Sequence, residues 1–272
     1  MQVVVPVKSF KNAKKRLAAV LTAGQRGALM KHMLDDVLSA IAVTPAVAAI
    51  TVVTSDAEVA TWVGDYASNI SVPLRAFDPG TAQADSEQTN TPPCDDSPLS
   101  LMTSLAEVGL CHAYSAAAND LKAQGARTML LLPADIPLVT RADIQTLLAG
   151  HTYPGVSLAT AGSDGGTNAL LVSPPDIIAP AFGDNSCQRH IAGAREQGCQ
   201  PTVLHHSGCS LDIDTEEDIR GLLAVGRECA TLRYLLDSGI AGELSKSSQG
   251  ESLQNTKFQQ SCLQKQTNRH LG

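Results

Sequence analysis

What most restricts the fold of this chain is a repeated order: a short apolar run, then a capped segment with an apolar stripe. A Thr or Ser followed three residues later by Gln, Glu or Asp opens such a segment at Thr22-x-x-Gln25, Ser55-x-x-Glu58, Thr140-x-x-Asp143 and Thr215-x-x-Asp218. At that spacing the hydroxyl accepts from the third backbone N–H of a helix while the longer side chain reaches back, so each pair predicts a helix start. Behind the first, Leu29, Met33, Val37 and Ile41 recur every four residues and predict one buried stripe on a helix over 23–41. Helical patterns also run over 99–124 and from about Ser186.

The runs that alternate with these segments are QVVVPV (2–7), AAITVVTS (48–55), ISVPLRAF (70–77), TMLLLPADIPLVT (128–140), GVSLATA (155–161), NALLVSP (168–174) and PTVLHH (201–206). They are short, apolar and often β-branched, as expected of strands covered on both faces. Pro6 argues for the end of a strand or for an edge. Strand followed by helix, repeated, predicts an α/β fold: a three-layer αβα sandwich around a mostly parallel sheet.

With 43% hydrophobic and 17% charged residues the chain can fill a sizeable core, and its formal charge of -7 argues against nucleic-acid binding by bulk charge. No apolar run approaches the roughly 20 residues that span a bilayer, so a cytoplasmic location without a membrane partner is expected. The seven cysteines are odd in number, scattered and without a CxxC pair, which predicts neither a disulfide scaffold nor a zinc site. One folded body is expected over 1–240, interrupted by a mobile polar loop at 78–98 and followed by a disordered polar tail at 241–272.

Open α/β sheets form their ligand crevice outside the carboxyl ends of the strands. Asp135 stands there, directly after MLLLPA, although an Asp that merely caps the turn would read the same way. Asp212 and Asp214 are two residues apart in LDIDT, which on an extended backbone aims both carboxylates to one side; a solvated strand explains this equally simply. Two carboxylates side by side repel and are best tolerated around a divalent cation, and Asp135 can add a third oxygen ligand for Mg²⁺.

Lys8, Lys11, Lys14, Lys15 and Arg16 are five of the chain's twenty basic residues and follow the first strand at once. They suit the phosphates of a nucleotide, with Lys8 and Arg16 the first candidates; a solvated basic loop is the alternative. In DGGTNALL, Thr167 and Asn168 can hydrogen-bond a ligand beside Gly165 and Gly166, or the glycines simply turn a hairpin. In AFGDNSCQRH, Gly183 and Ser186 precede a helix start suited to an anion, which Arg189 and His190 can reinforce; Ser186 as an ordinary N-cap is the plainer alternative. No GxxxxGK[ST], GxGxxG or GxSxG motif is present.

Taken in order, VPVKSFKNAKKRL, MLLLPADIPLVT, GTNALLVSPP, AFGDNSCQRH and SLDIDTEEDI resemble the guanylyltransferases of coenzyme F420 biosynthesis, whose fold is nucleotide-diphospho-sugar transferase-like. The resemblance implies transfer of GMP from GTP to 2-phospho-L-lactate, phosphoenolpyruvate or 3-phospho-D-glycerate, with release of pyrophosphate and Mg²⁺ as cofactor. It implies Asp135, Asp212 and Asp214 as metal-facing carboxylates, Lys8 and Arg16 at the nucleotide phosphates, and Thr167, Gly183 and Ser186 as the cradle of the acid. Where the family has a glycine-leucine-asparagine turn, this chain has Gly109, Leu110 and Cys111. A thiol thus replaces an amide near the substrates, and the branch that this chain resembles points to 3-phospho-D-glycerate. The loop at 78–98 is the other departure. A cytidylyl- or uridylyltransferase of a sugar phosphate, or a non-catalytic nucleotide sensor, fits the same pocket, and a homodimer is compatible with the sequence.

Overall fold

A computed structural model describes residues 1–79, 105–162, 165–183, 185–205 and 208–246. The loop expected at 78–98 lies, beyond Pro79, outside the described residues, as does the chain after 246. The strands are β1 (Gln2–Pro6), β2 (Ala49–Val53), β3 (Leu74–Phe77), β4 (Met129–Leu131), β5 (Gly155–Thr160), β6 (Thr167–Ser173) and β7 (Thr202–Leu204). Between and after them come α1 (Ala23–Ala42), α2 (Ala57–Tyr66), α3 (Leu105–Ala123), α4 (Arg141–Ala149), α5 (Ser186–Glu196), α6 (Glu216–Val225) and α7 (Ala230–Asp237).

One seven-stranded sheet runs in the order β3-β2-β1-β4-β6-β5-β7. Its neighbours pair in parallel except at β6, which is antiparallel to both β4 and β5. Successive strand residues face opposite ways, and the core divides accordingly. Val3, Val5, Leu130 and Leu171 pack on one side with the stripe of α1 and with Ile144, Ile219 and Leu235 of α4, α6 and α7. Val4, Met129, Leu131, Leu170 and Val172 face the other side, under Tyr114 and Leu121 of α3 and Ile191 of α5. These are the three expected layers. Pro6 ends β1, opposite Val53, in the middle of the sheet rather than at its edge.

Thr22, Thr140 and Thr215 make the anticipated reciprocal caps with Gln25, Asp143 and Asp218. Two caps differ. Asp56, not Ser55, caps α2, because its carboxylate already accepts from the N–H groups of Glu58 and Val59. Asn185, in the left-handed region at φ 56°, precedes α5, and Ser186 is its first residue rather than its cap. Ordered chain also extends past the boundary expected at 240: residues 240–246 are helical, and Ile240 and Leu244, one turn apart, are buried in the core. No helix among the described residues is long and apolar enough to cross a membrane.

Candidate active site

After β1 the chain runs to β2 on one side, whereas β4 lies on the other side of β1. That reversal opens a crevice between the carboxyl ends of β1 and β4. The loop after β1 is pinned there by Phe10 and Leu17, both buried, and by Arg26, which donates to the carbonyls of Ala13 and Leu21. Within it Lys14 adopts φ 49°, ψ 49°, a left-handed conformation that costs a non-glycine residue roughly 1–2 kcal/mol. The conformation delivers its side chain, only 6% exposed, to Asp135 Oδ2 at 2.6 Å and Asp214 Oδ1 at 2.7 Å.

Asp135 arrives from the loop after β4, and its carbonyl accepts from the Ile213 N–H at 3.0 Å. This bond ties the loop to the segment carrying Asp212 and Asp214. Ile213 points into the core while both flanking aspartates stay half-buried. Asp218, the cap partner of α6, accepts from the Asp214 N–H at 3.0 Å and so fixes the end of that segment. Upstream, the Gly208 N–H donates to Asp143 of α4 at 3.0 Å.

Charge is unevenly shared among the three carboxylates. Burial favours a neutral Lys14, but the two carboxylates outweigh it and hold the ammonium above its ordinary value. Burial likewise pushes Asp214 up, yet Lys14 and Arg16 together bring its carboxyl below the usual carboxylate range. Asp212 has no basic side chain within ion-pair distance among the described residues. It accepts from Asn168 Nδ2 at 3.2 Å, and burial, followed by the charges of Asp135 and Asp214, raises its pKa despite that bond.

The expected residues therefore fall into three groups. Asp135, Asp212 and Asp214 share one crevice, but the cation between Asp135 and Asp214 is Lys14, and no set of three or more His, Cys, Asp or Glu among the described residues is arranged to hold an ion. Arg16 reaches Asp214 only at 3.7 Å with its side chain 77% exposed, and Lys8 is exposed at the end of β1. Lys14 was one of five adjacent basic residues in the sequence, and only burial in the folded chain distinguishes it.

The second group surrounds the start of β6. Thr167 and Ser186 are buried and bonded to each other, and Asn168 also donates to the Cys209 carbonyl at 2.9 Å. Gly183, at φ 102°, accepts from the Ser186 N–H through its carbonyl. Residue 165 approaches α5 closely, for a Cβ on Gly165 would lie 3.2 Å from Asn185 Oδ1. The third group is turned to other work: the Arg189 guanidinium is spent on the carbonyls of Ala181 and Phe182, and Cys111 packs half-buried on the α3 side of the core.

Known proteins resemble this chain in sequence and in fold. The family described as Guanylyl transferase CofC like matches residues 1–71 and 107–256, stretches that contain Lys14 and all three aspartates. A phosphoenolpyruvate guanylyltransferase from Sphaerobacter thermophilus is 33% identical over 219 residues, covering 80% of this chain and 90% of its own. A 2-phospho-L-lactate guanylyltransferase from Methanothermobacter thermautotrophicus is 29% identical over 232 residues, covering 85% and 88%. Among solved structures, a nucleotide-diphospho-sugar transferase-type protein from Desulfovibrio desulfuricans G20 superimposes with a TM-score of 0.63 at 16% identity, over 89% of this chain and 96% of that one. The last likeness establishes the fold; the family match, spanning most of the chain, establishes more. This chain belongs to the CofC-like guanylyl transferase family and is a nucleotidyltransferase.

Proposed function

We propose that this protein transfers GMP from GTP to the phosphate of a small phosphorylated three-carbon acid in coenzyme F420 biosynthesis. The observation that carries the reading is the meeting of Lys14 with Asp135 and Asp214 at the sheet's switch point, inside the stretches shared with the family. The acid class is supported by relatives named for phosphoenolpyruvate and for 2-phospho-L-lactate. The branch of the family that this chain resembles leans the choice toward 3-phospho-D-glycerate.

In this reading an oxygen of the acceptor phosphate attacks the α-phosphorus of GTP in line. A new P–O–P bond forms, the bond from the α-phosphorus to its β-bridging oxygen breaks, and pyrophosphate leaves with that electron pair. The attacking oxygen is already anionic, so no protein nucleophile and no proton transfer is needed, and catalysis reduces to alignment and charge neutralisation. Lys14 and Arg16 offer cations to the triphosphate, with Lys8 at the rim. Thr167, Gly183 and Ser186 cradle the acid.

The all-oxygen donors suit Mg²⁺, and Asp212 fits best, being buried beside two other carboxylates without a basic partner among the described residues. Asp135 and Asp212, with Asp214, would hold the ion, which when bound neutralises charge on the triphosphate.

Pyrophosphate release by the purified full chain, with GTP, CTP or UTP against each of the three acids, with and without Mg²⁺, tests the reading. GTP is expected to be favoured roughly a hundredfold, with one acid clearly preferred. Preference for CTP or UTP would instead indicate a sugar-phosphate transferase, and GTP binding without pyrophosphate release a sensor.

A further inference from the structure

His190, which the sequence offers beside Arg189 as reinforcing an anion site, is buried in α5. Its two ring nitrogens are both engaged. The Ala181 N–H donates to Nε2 at 3.2 Å, so Nε2 is an acceptor and carries no proton. In a neutral ring the proton then resides on Nδ1, and Nδ1 lies 3.0 Å from Thr167 Oγ1. A doubly protonated ring would set N–H against N–H at Ala181, and burial, followed by the Arg189 charge, pulls the His190 pKa down to about 4. The neutral ring is therefore the form present near neutral pH.

The consequence falls on Thr167. Its oxygen receives the Nδ1–H of His190 and, at 3.2 Å, the hydroxyl proton of Ser186. A hydroxyl has two acceptor sites and one proton to give. Both acceptor sites are filled, and among the described residues no acceptor faces the Thr167 proton. Thr167 is 8% exposed, at the start of β6, next to the Asn168 that holds Asp212.

Resting on the proposed function above, we infer that His190 is a positioning residue: its tautomer, set by the Ala181 N–H, turns the Thr167 hydroxyl outward as an obligate donor to an anionic oxygen of the acceptor acid. Such a wall admits a carboxylate or phosphate oxygen and refuses a ligand that presents a donor at the same place. It selects an anionic oxygen over a hydrogen-bond donor, whichever of the three acids supplies it.

Two measurements on the full chain test the inference. Nitrogen-15 NMR of His190 without substrate reads the tautomer directly: protonation on Nδ1 supports the proposal, and protonation on Nε2 overturns it. Steady-state pyrophosphate release, with 3-phospho-D-glycerate, phosphoenolpyruvate or 2-phospho-L-lactate varied at saturating GTP and then the reverse, reads the effect. Thr167→Val and His190→Gln, which keeps an acceptor for Ala181 but loses the Nδ1 donor, are expected to raise KM for the acid roughly 10- to 100-fold and to leave KM for GTP within about twofold. His190→Asn, whose amide can still donate from the Nδ1 position, and Thr167→Ser should recover most of that loss. Equal rises in both KM values, or no rise, contradict the inference. If the wild-type chain released no pyrophosphate with any acid, the proposed function would fail, and the tautomer would decide the hydrogen-bond polarity by itself.

Discussion

A buried ammonium held between two carboxylates is expensive to disrupt, because removing it leaves like charges facing each other without compensation. Lys14→Met is accordingly expected to cost about 2–3 kcal/mol in urea unfolding, somewhat below the usual range because Asp135 and Asp214 keep 27% and 39% exposure. Arg16→Ala, at 3.7 Å and mostly solvated, should cost less than about 0.5 kcal/mol. Equal losses would refute the ranking of the two cations. Asp135→Asn and Asp214→Asn should lower turnover about a hundredfold or more with a far smaller effect on melting, and near-normal turnover in both would remove them from the chemistry. His190 adds a pH dependence whose sign is fixed. Its folded value of about 4 lies below the ordinary unfolded value of about 6.5, so between those limits the unfolded chain binds a proton that the folded chain refuses. Stability is unaffected above pH 6.5, falls as pH drops through this window and levels off below it, by roughly 3 kcal/mol in total. Urea unfolding of wild type and His190→Gln at pH 7 and 4.5 should show a flatter response in the variant; parallel responses would be the contrary result. The aspartates were legible because a charge directly after an apolar run marks where a sheet's interior ends. Lys14 and His190 were not, since burial and bond polarity belong to the folded chain.

Helix starts were legible to the residue where a Thr opened the pattern; α2 is off by one because two polar side chains compete for the same N–H groups, and α5 follows a left-handed Asn185 whose side chain makes no cap bond. Asp56 outbids Ser55 because a carboxylate accepts from two amides at once. The caps are also unequal in consequence. Asp143 accepts from Thr140 N–H and from the Gly208 N–H, joining α4 to the segment that leads to Asp212, whereas the Thr22 cap serves α1 alone. Thr22→Ala should therefore cost about 1 kcal/mol with activity unchanged, and Asp143→Ala about 2–3 kcal/mol with reduced turnover. Gly208→Ala is the sharper probe, for a Cβ there would lie 2.1 Å from the Leu138 carbonyl oxygen. Displacement of the 208–214 segment follows, and full activity in that variant would show that the segment need not be held so closely. Strand direction was the least legible property of the elements. Every residue of β6 is buried, as in a parallel strand covered on both faces, so its own pattern does not announce its direction; the only signal is the short glycine turn before it, whose hairpin reading the antiparallel β5–β6 pairing bears out.

Across the molecule the layer architecture was readable because it follows from the order of elements, while its limits were not. Composition placed the end of the folded body at 240, yet Leu244 is only 4% exposed and packs with Ile240 in the larger core cluster. Leu244→Ala is expected to lower stability by about 2–4 kcal/mol in thermal or urea melts, and an unchanged midpoint would mean that the last helical turn contributes nothing. The reversed strand has a broader effect. Because β6 opposes β4, with Leu170 beside Leu131, its opening residues come to the rim where β4 closes, and Asn168 can meet Asp212. In a sheet of one direction those residues would sit at the far edge. Under the proposed function, the acid-facing Thr167 and the Lys14–Asp135–Asp214 cluster therefore stand on separate supports, one on an antiparallel hairpin and the other on loops after parallel strands, so a substitution at Thr167 can alter acid binding without moving the ion pairs.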